Sequence, residues 1–333
     1  MPDPVPPSFA LRGPALVHAL LRTGLIAPAR YLEALRIVRD DAFWQRWGRR
    51  TLLALAVGQI LVGIVFFFAF NWADLPPFAK LGVIQAGIAL CTLGAWLGRN
   101  QPIAWEALLT AAVVLVGVLL AVFGQIYQTG ADAYTLFVGW AALILPWVLA
   151  SRALVPWVVW LAVAGAGAVT YAMQIAIPMG WISVEGAVLL LAVFYAGVLL
   201  GREAATRFGV RWLQPLWPRR LLVAAILALT FTTAVSGLTE SVITPAGWLA
   251  MAGYSAAAVG LGIACVVLLD LPAVVMAVLS GCLFLTVAGG RIVFEWLDPE
   301  VGGFGAVVML VLAVFGAAFA LLRRLRVWMA AHV

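Results

Sequence analysis

The chain is 333 residues long, 65% of them hydrophobic and only 10% charged, and its mean hydropathy is +1.10. A soluble domain carries charge on about a quarter of its residues, and 20 basic plus 14 acidic side chains cannot supply that surface here. The composition excludes soluble enzymes, nucleic-acid readers and secreted disulfide scaffolds, and specifies an integral membrane protein.

The first fifty residues differ from the rest. A Pro-rich stretch at 1–7 opens the chain, and no apolar run lies between a charged start and a small-residue cleavage site, so no cleaved signal peptide is expected. Residues 14–23, closed by Gly24, read as a short helix, and residues 28–41 as a second with Leu32, Leu35 and Val38 along one side. Phe43, Trp44, Arg46, Trp47, Arg49 and Arg50 then interleave rings with positive charge. That pattern suits an interfacial anchor held by Trp rings and anionic lipid headgroups, or a docking helix for a partner protein. The stretch from Arg202 to Arg220, with Trp212 and Trp217 among its arginines, poses the same choice.

Ten apolar runs are long enough to cross a bilayer, at 51–70, 79–98, 104–124, 135–150, 153–173, 184–201, 221–238, 246–269, 272–290 and 303–322. The fold expected is an all-α polytopic transmembrane bundle over 51–322, between a cytoplasmic helical region at 1–50 and a basic tail at 323–333. Two of the turns are very short: only Ser151 and Arg152 separate spans four and five, and spans eight and nine meet at Asp270-Leu271-Pro272.

Charge placement tests this count. Eighteen of the twenty basic residues fall at alternate span ends, at the two termini and after spans two, four and six, whereas only Lys80 and Arg291 fall on the other side. Under the positive-inside rule, both termini face the cytoplasm of a bacterial inner membrane. The outer ends are acidic, with Asp74, Asp132, Glu185, Glu240, Glu295, Asp298 and Glu300.

Three stretches carry a resemblance: residues 66–76, which contain Asn71, Trp72 and Asp74; residues 124–132, which read Gly-Gln-Ile-Tyr-Gln-Thr-Gly-Ala-Asp; and Leu145-Pro146-Trp147. Over roughly residues 15–175 the chain resembles the prokaryotic multi-pass membrane family called domain of unknown function 2157 (DUF2157). The resemblance implies a membrane location and supplies no catalytic residue, substrate or cofactor.

Polar groups inside a bilayer are costly, so each one needs a reason. Gln59 in span one and Gln85 in span two suit an interhelical amide pair or a substrate contact. Glu106, one turn into span three, is placed to reach headgroups or Arg99. The outer span ends are richer: Asn71, Trp72, Asp74, Gln125, Tyr127, Gln128, Asp132, Tyr134, Gln174, Glu185, Glu240, Arg291 and Glu295 are expected at one depth, a polar vestibule in which Asn71, Trp72, Asp74, Gln125, Tyr127, Gln128 and Asp132 are the candidate substrate-binding residues. Competing with that reading are caps: Asp132 before Ala133, Asp74 before Pro76, and Thr244-Pro245 at a helix start. Glycines such as Gly94, Gly98, Gly165 and Gly167 allow close helix packing, and Thr230, Thr232, Thr233 and Ser236 suit back-bonding to the preceding turn or a lined pathway equally.

Three functions follow. A transporter or translocator of an uncharged or lipid-linked substrate suits the vestibule and the scarcity of charge within the spans. An assembly protein binding a membrane or envelope partner suits the N-terminal helices. An outer-face enzyme built on carboxylates ranks last, because no nucleophile elbow, zinc-binding helix or phosphate loop is present. His18 and His332 are the only histidines and Cys91, Cys265 and Cys282 lie in apolar runs, so neither a metal site nor a cofactor is expected.

Overall fold

The computed structural model describes residues 74–128, 132–239, 244–296 and 302–331 without a break, and before them residues 17, 20–21, 25–27, 30–38, 41, 43–45, 47–49, 51–52, 55–56, 59, 63, 66 and 72. Contacts divide the chain into two units, residues 1–76 with Val333 and residues 77–332.

In the first unit, α1 (Tyr31–Val38) lies within the expected second helix and buries Leu35 while Glu33, Arg36 and Ile37 stay exposed. Trp44 packs edge-on against both Phe43 and Trp47, with ring centroids 5.4 and 5.9 Å apart. Most of the expected helix at 14–23 and most of span one lie outside the described residues.

The second unit is a helix bundle: α2 (Pro77–Leu97), α3 (Pro102–Tyr127), α4 (Ala133–Ser151), α5 (Leu154–Tyr171), α6 (Val184–Arg207), α7 (Trp217–Thr239), α8 (Pro245–Val267), α9 (Leu271–Trp296) and α10 (Gly302–Ala331). A single π-turn, Ala172–Ala176, extends α5. All nine are long and apolar enough to cross a membrane, and no strand occurs among the described residues. Proline opens α2, α3 and α8, where a missing N–H costs no hydrogen bond. Ser183 and Thr244 cap α6 and α8 by accepting the N–H of Gly186 and Gly247 at 3.1 and 3.2 Å.

Packing separates the bundle into two groups that share the α5–α6 boundary. In the first, α2 packs on α3, and α3, α4 and α5 pack on one another. Two indoles cross between these helices: Trp140 Nε1 donates to the Val113 carbonyl at 2.9 Å, and Trp160 Nε1 to that of Ala141 at 3.0 Å. With Val113, Ile144 and Val148 fully covered, they form one core.

The second group is built around α7, which touches α6, α8 and α9 and has half of its apolar length covered by protein, against 22% or less elsewhere. Leu222, Val223 and Ile226 of α7 meet Leu199 of α6, Cys265 of α8 and Val274 of α9 in the largest core cluster. Near the far end of α7, a Cβ on Gly237 would stand 2.6 Å from the Gly247 Cα of α8, so only glycine permits that approach. The threonines of α7 bond backward, Thr230 to the Ile226 carbonyl at 2.8 Å and Thr233 to that of Thr230 at 2.9 Å, and so spend their hydroxyls within their own helix.

Candidate functional site

Polar residues gather at both ends of the bundle, and the two ends differ in kind. At the end where α3 stops and α4 begins, α3 finishes with Gln125 and Tyr127 and is capped by Gln128, all exposed. Tyr127 stacks on Phe123 at 4.5 Å, and Gln128 takes a left-handed conformation (φ 48°) that sends its N–H back to the Gly124 carbonyl. Asp132 occupies the position before α4, but its carboxylate caps nothing. Only its backbone carbonyl is used, by the hydroxyl and N–H of Thr135 at 2.7 and 3.1 Å. The expected Asp132 cap is corrected accordingly. An acceptor from another helix serves the first turn of α4, for Gln174 Oε1 of the π-turn takes the Tyr134 N–H at 3.2 Å. Tyr134 also meets Tyr171 edge-on at 5.5 Å, which ties the polar turn to the end of α5.

Beside Tyr171 a cleft opens between α5 and α6. At mid-height the two helices are locked, because the Tyr195 hydroxyl of α6 donates to the Leu161 carbonyl of α5 at 3.2 Å. That contact requires Gly165, where an added Cβ would lie 2.2 Å from the Tyr195 oxygen. Lower still, Trp157 stacks on Trp212 at 6.4 Å. Above the lock the helices part and leave an apolar cavity of about 520 Å³. Ala164, Ala168, Ala172 and Ala176 form its α5 wall at a spacing of four residues, and Ala187, Leu191 and Phe194 contribute the α6 wall. Small side chains on one face of α5 create this space, and the π-turn shifts the register of its last residues toward the mouth.

The opposite end carries most of the arginines and holds a buried ion network. Arg219 of α7 grips Glu203 of α6 with two bonds, Nε at 2.9 Å and Nη2 at 2.6 Å, and reaches Asp270 with Nη1 at 3.4 Å. Arg220 adds an Nε bond to Asp270 at 3.0 Å. Arg202 pairs with Glu203 and also donates to the carbonyls of Leu213 and Pro215 at 2.7 and 2.6 Å, fixing the short 3₁₀ segment Arg211–Leu213 between α6 and α7. Arg202, Arg219 and Asp270 are all buried. Of the stretch 202–220, Arg202, Glu203, Arg219 and Arg220 join Asp270 of the α8–α9 turn in this network, whereas Arg207, Phe208, Arg211 and Trp217 stay exposed.

Glu106 is likewise corrected. Its Oε1 accepts the Val155 N–H at 2.9 Å and so caps the start of α5 from α3, whereas Arg99 lies over the Trp96 ring at 5.8 Å. Gln59 and Gln85 are exposed, as is Asp74; Trp72 is half-buried; Asn71 and Glu240 lie outside the described residues. Arg291 pairs with Glu295 one turn along α9 at 2.6 Å. Among the described residues no three His, Cys, Asp or Glu side chains converge on a metal position.

Residues 18–157 match the family described as Predicted membrane protein (DUF2157). No curated protein and no solved structure matches the chain. The DUF2157 stretch takes in the polar turn and the Glu106 cap but ends before the cleft, whose lining begins at Ala164.

Proposed function

We propose that this membrane protein binds an amphiphile, a lipid or lipid-linked substrate with an uncharged head, and passes it between leaflets along the α5–α6 boundary. The observation that carries the reading is the cleft itself. Its walls are apolar and about 520 Å³ of space opens at the boundary between two packing groups. Such a space suits an acyl or prenyl chain, because an apolar slot in a bilayer is filled by the tails already there.

The head would then lie among Tyr134, Tyr171 and Gln174 at the mouth, with Gln125, Tyr127, Gln128 and Asp132 on the neighbouring turn. These groups offer hydrogen bonds and aromatic faces, and Asp132 brings the one carboxylate among them. Among the described residues the two acidic members of the charged network, Glu203 and Asp270, are held by arginines, which favours a substrate moved without a carboxylate proton relay. Both chain ends would face the cytoplasm of a bacterial inner membrane, in keeping with the arginines gathered at the network end.

The test is lipid movement in proteoliposomes. Vesicles holding purified protein and a trace of a glucosyl lipid with a fluorescent tag on its acyl chain are exposed to membrane-impermeant dithionite, which bleaches only the outer leaflet. The reading expects faster loss of the inner-leaflet signal than in protein-free vesicles, slowed by Ala168→Trp or Ala187→Trp, which fill the cleft. Bleaching that stops at the outer leaflet with wild-type protein would remove translocation from the account.

A further inference from the structure

The α5–α6 boundary is open at one end and shut at the other. On α5 the cleft wall of Ala164, Ala168, Ala172 and Ala176 is continued toward the network end by Leu161 and Trp157, at steps of three or four residues that keep them on one side of the helix. Two contacts close the path there. The Tyr195 hydroxyl crosses to the Leu161 carbonyl at 3.2 Å, and Leu161 and Tyr195 both pack on the cluster of Leu222, Val223 and Val274. Beyond them Trp157 stacks on Trp212, with the rings 6.4 Å apart and 24° from parallel.

Trp212 belongs to neither helix. It is the middle residue of Arg211–Leu213, the 3₁₀ segment that Arg202 holds through the carbonyls of Leu213 and Pro215. The ion network thus sets the plate against which α5 rests. Trp157 is held differently from the indoles inside the first group: Trp140 and Trp160 donate to carbonyls of the neighbouring helix, whereas Trp157 Nε1 is buried with no acceptor. A buried N–H left without a partner is costly. Indole hydrogen bonds therefore fasten α3 to α4 and α4 to α5, while ring stacking alone joins α5 to the plate.

Taking the translocation reading above as its basis, we propose that Tyr195 and Trp212 form the gate at the network end of the lipid path. It is shut in this structure and opens when α5 rocks away from α6 and the Trp212 plate. Two packing groups that meet along one boundary are suited to such rocking, which exposes a site between them to one membrane face and then the other. The cleft holds the amphiphile while the gate is shut, and parting of the two contacts releases it toward the other leaflet.

The test runs the dithionite assay beside photocrosslinking with a glucosyl lipid that carries a diazirine on its acyl chain, on the full-length protein in vesicles. Trp212→Ala and Tyr195→Phe should each raise the rate of lipid movement by roughly two- to tenfold, the worth of one stacked pair or one hydrogen bond. Cleft adducts at residues 164–176 should persist in both, and new adducts should appear at residues 157–161. Trp212→Phe keeps a ring on the plate and should stay close to the wild type. Wild-type rates and adducts in both Trp212→Ala and Tyr195→Phe would overturn the gate, as would a Trp212→Ala variant that loses cleft adducts and movement together, the mark of a purely structural contact. The two proposals fail differently: a wild-type protein that moves no lipid removes the translocation reading and the gate with it, whereas movement that the variants leave unchanged removes the gate alone.

Discussion

Arg219 holds Glu203 through two hydrogen bonds and Asp270 through a third, so one guanidinium on α7 joins α6 to the α8–α9 turn. Arg202 and Arg219 are thereby turned inward to close the end of the bundle around α7, while Arg207 and Arg211 of the same stretch stay exposed.

Removing Asp270 should therefore be severe. Asp270→Ala leaves Arg219 half-paired and Arg220 without its carboxylate in a site only 2% exposed, and breaking a buried pair costs about 3–5 kcal/mol. A fall in thermal stability well beyond that of an exposed control such as Glu295→Ala is expected in detergent. Equal stabilities would show that the network adds nothing to the fold.

Glu106→Ala removes the acceptor of the Val155 N–H at the start of α5, a capping loss of about 1 kcal/mol. Glu106→Gln keeps an oxygen at the same place and should lose less. Hydrogen exchange across the first turn of α5 reads this directly. Protection unchanged in the alanine variant would mean that the contact does not hold the turn.

At the α5–α6 lock, Gly165→Ala drives a methyl group into the Tyr195 hydroxyl, an overpacking cost of about 1–3 kcal/mol. Tyr195→Phe removes the oxygen, so the two substitutions together should cost less than their sum. A double-mutant cycle on unfolding measures the coupling, and strict additivity would count against a lock at this point.

How much of this the sequence revealed follows from the range of each interaction. Apolar length is a property of continuous segments, and it is enough for the all-α bundle and the stop between Ser151 and Ala153, whereas α6 and α10 run on to Arg207 and Ala331, past the expected ends at 201 and 322. Thr244 and the α7 threonines behave as read because a cap and a back-bond involve only neighbours within four residues. Asp132 and Glu106 differ from expectation for the same reason in reverse: the first turn of α4 is served by Gln174, 40 residues from Tyr134, and Glu106 accepts from Val155, 49 residues away. Asp270 lies about fifty residues from its arginines, a pairing that no local pattern encodes. The cleft did leave a signal, alanine at 164, 168, 172 and 176, but alanine is common in membrane helices and marks an opening only once α6 is seen to diverge.

The central claim is that an amphiphile occupies the α5–α6 cleft, and the most direct measurement is photocrosslinking in vesicles with a phospholipid carrying a diazirine near its acyl-chain end, followed by peptide mapping. Adducts are expected on the cleft faces of α5 and α6, at residues 164–176 and 187–194, and are expected to be lost in Ala168→Trp. Adducts spread over the exposed faces of α2 and α10, with none in the cleft and no change in the variant, would contradict it.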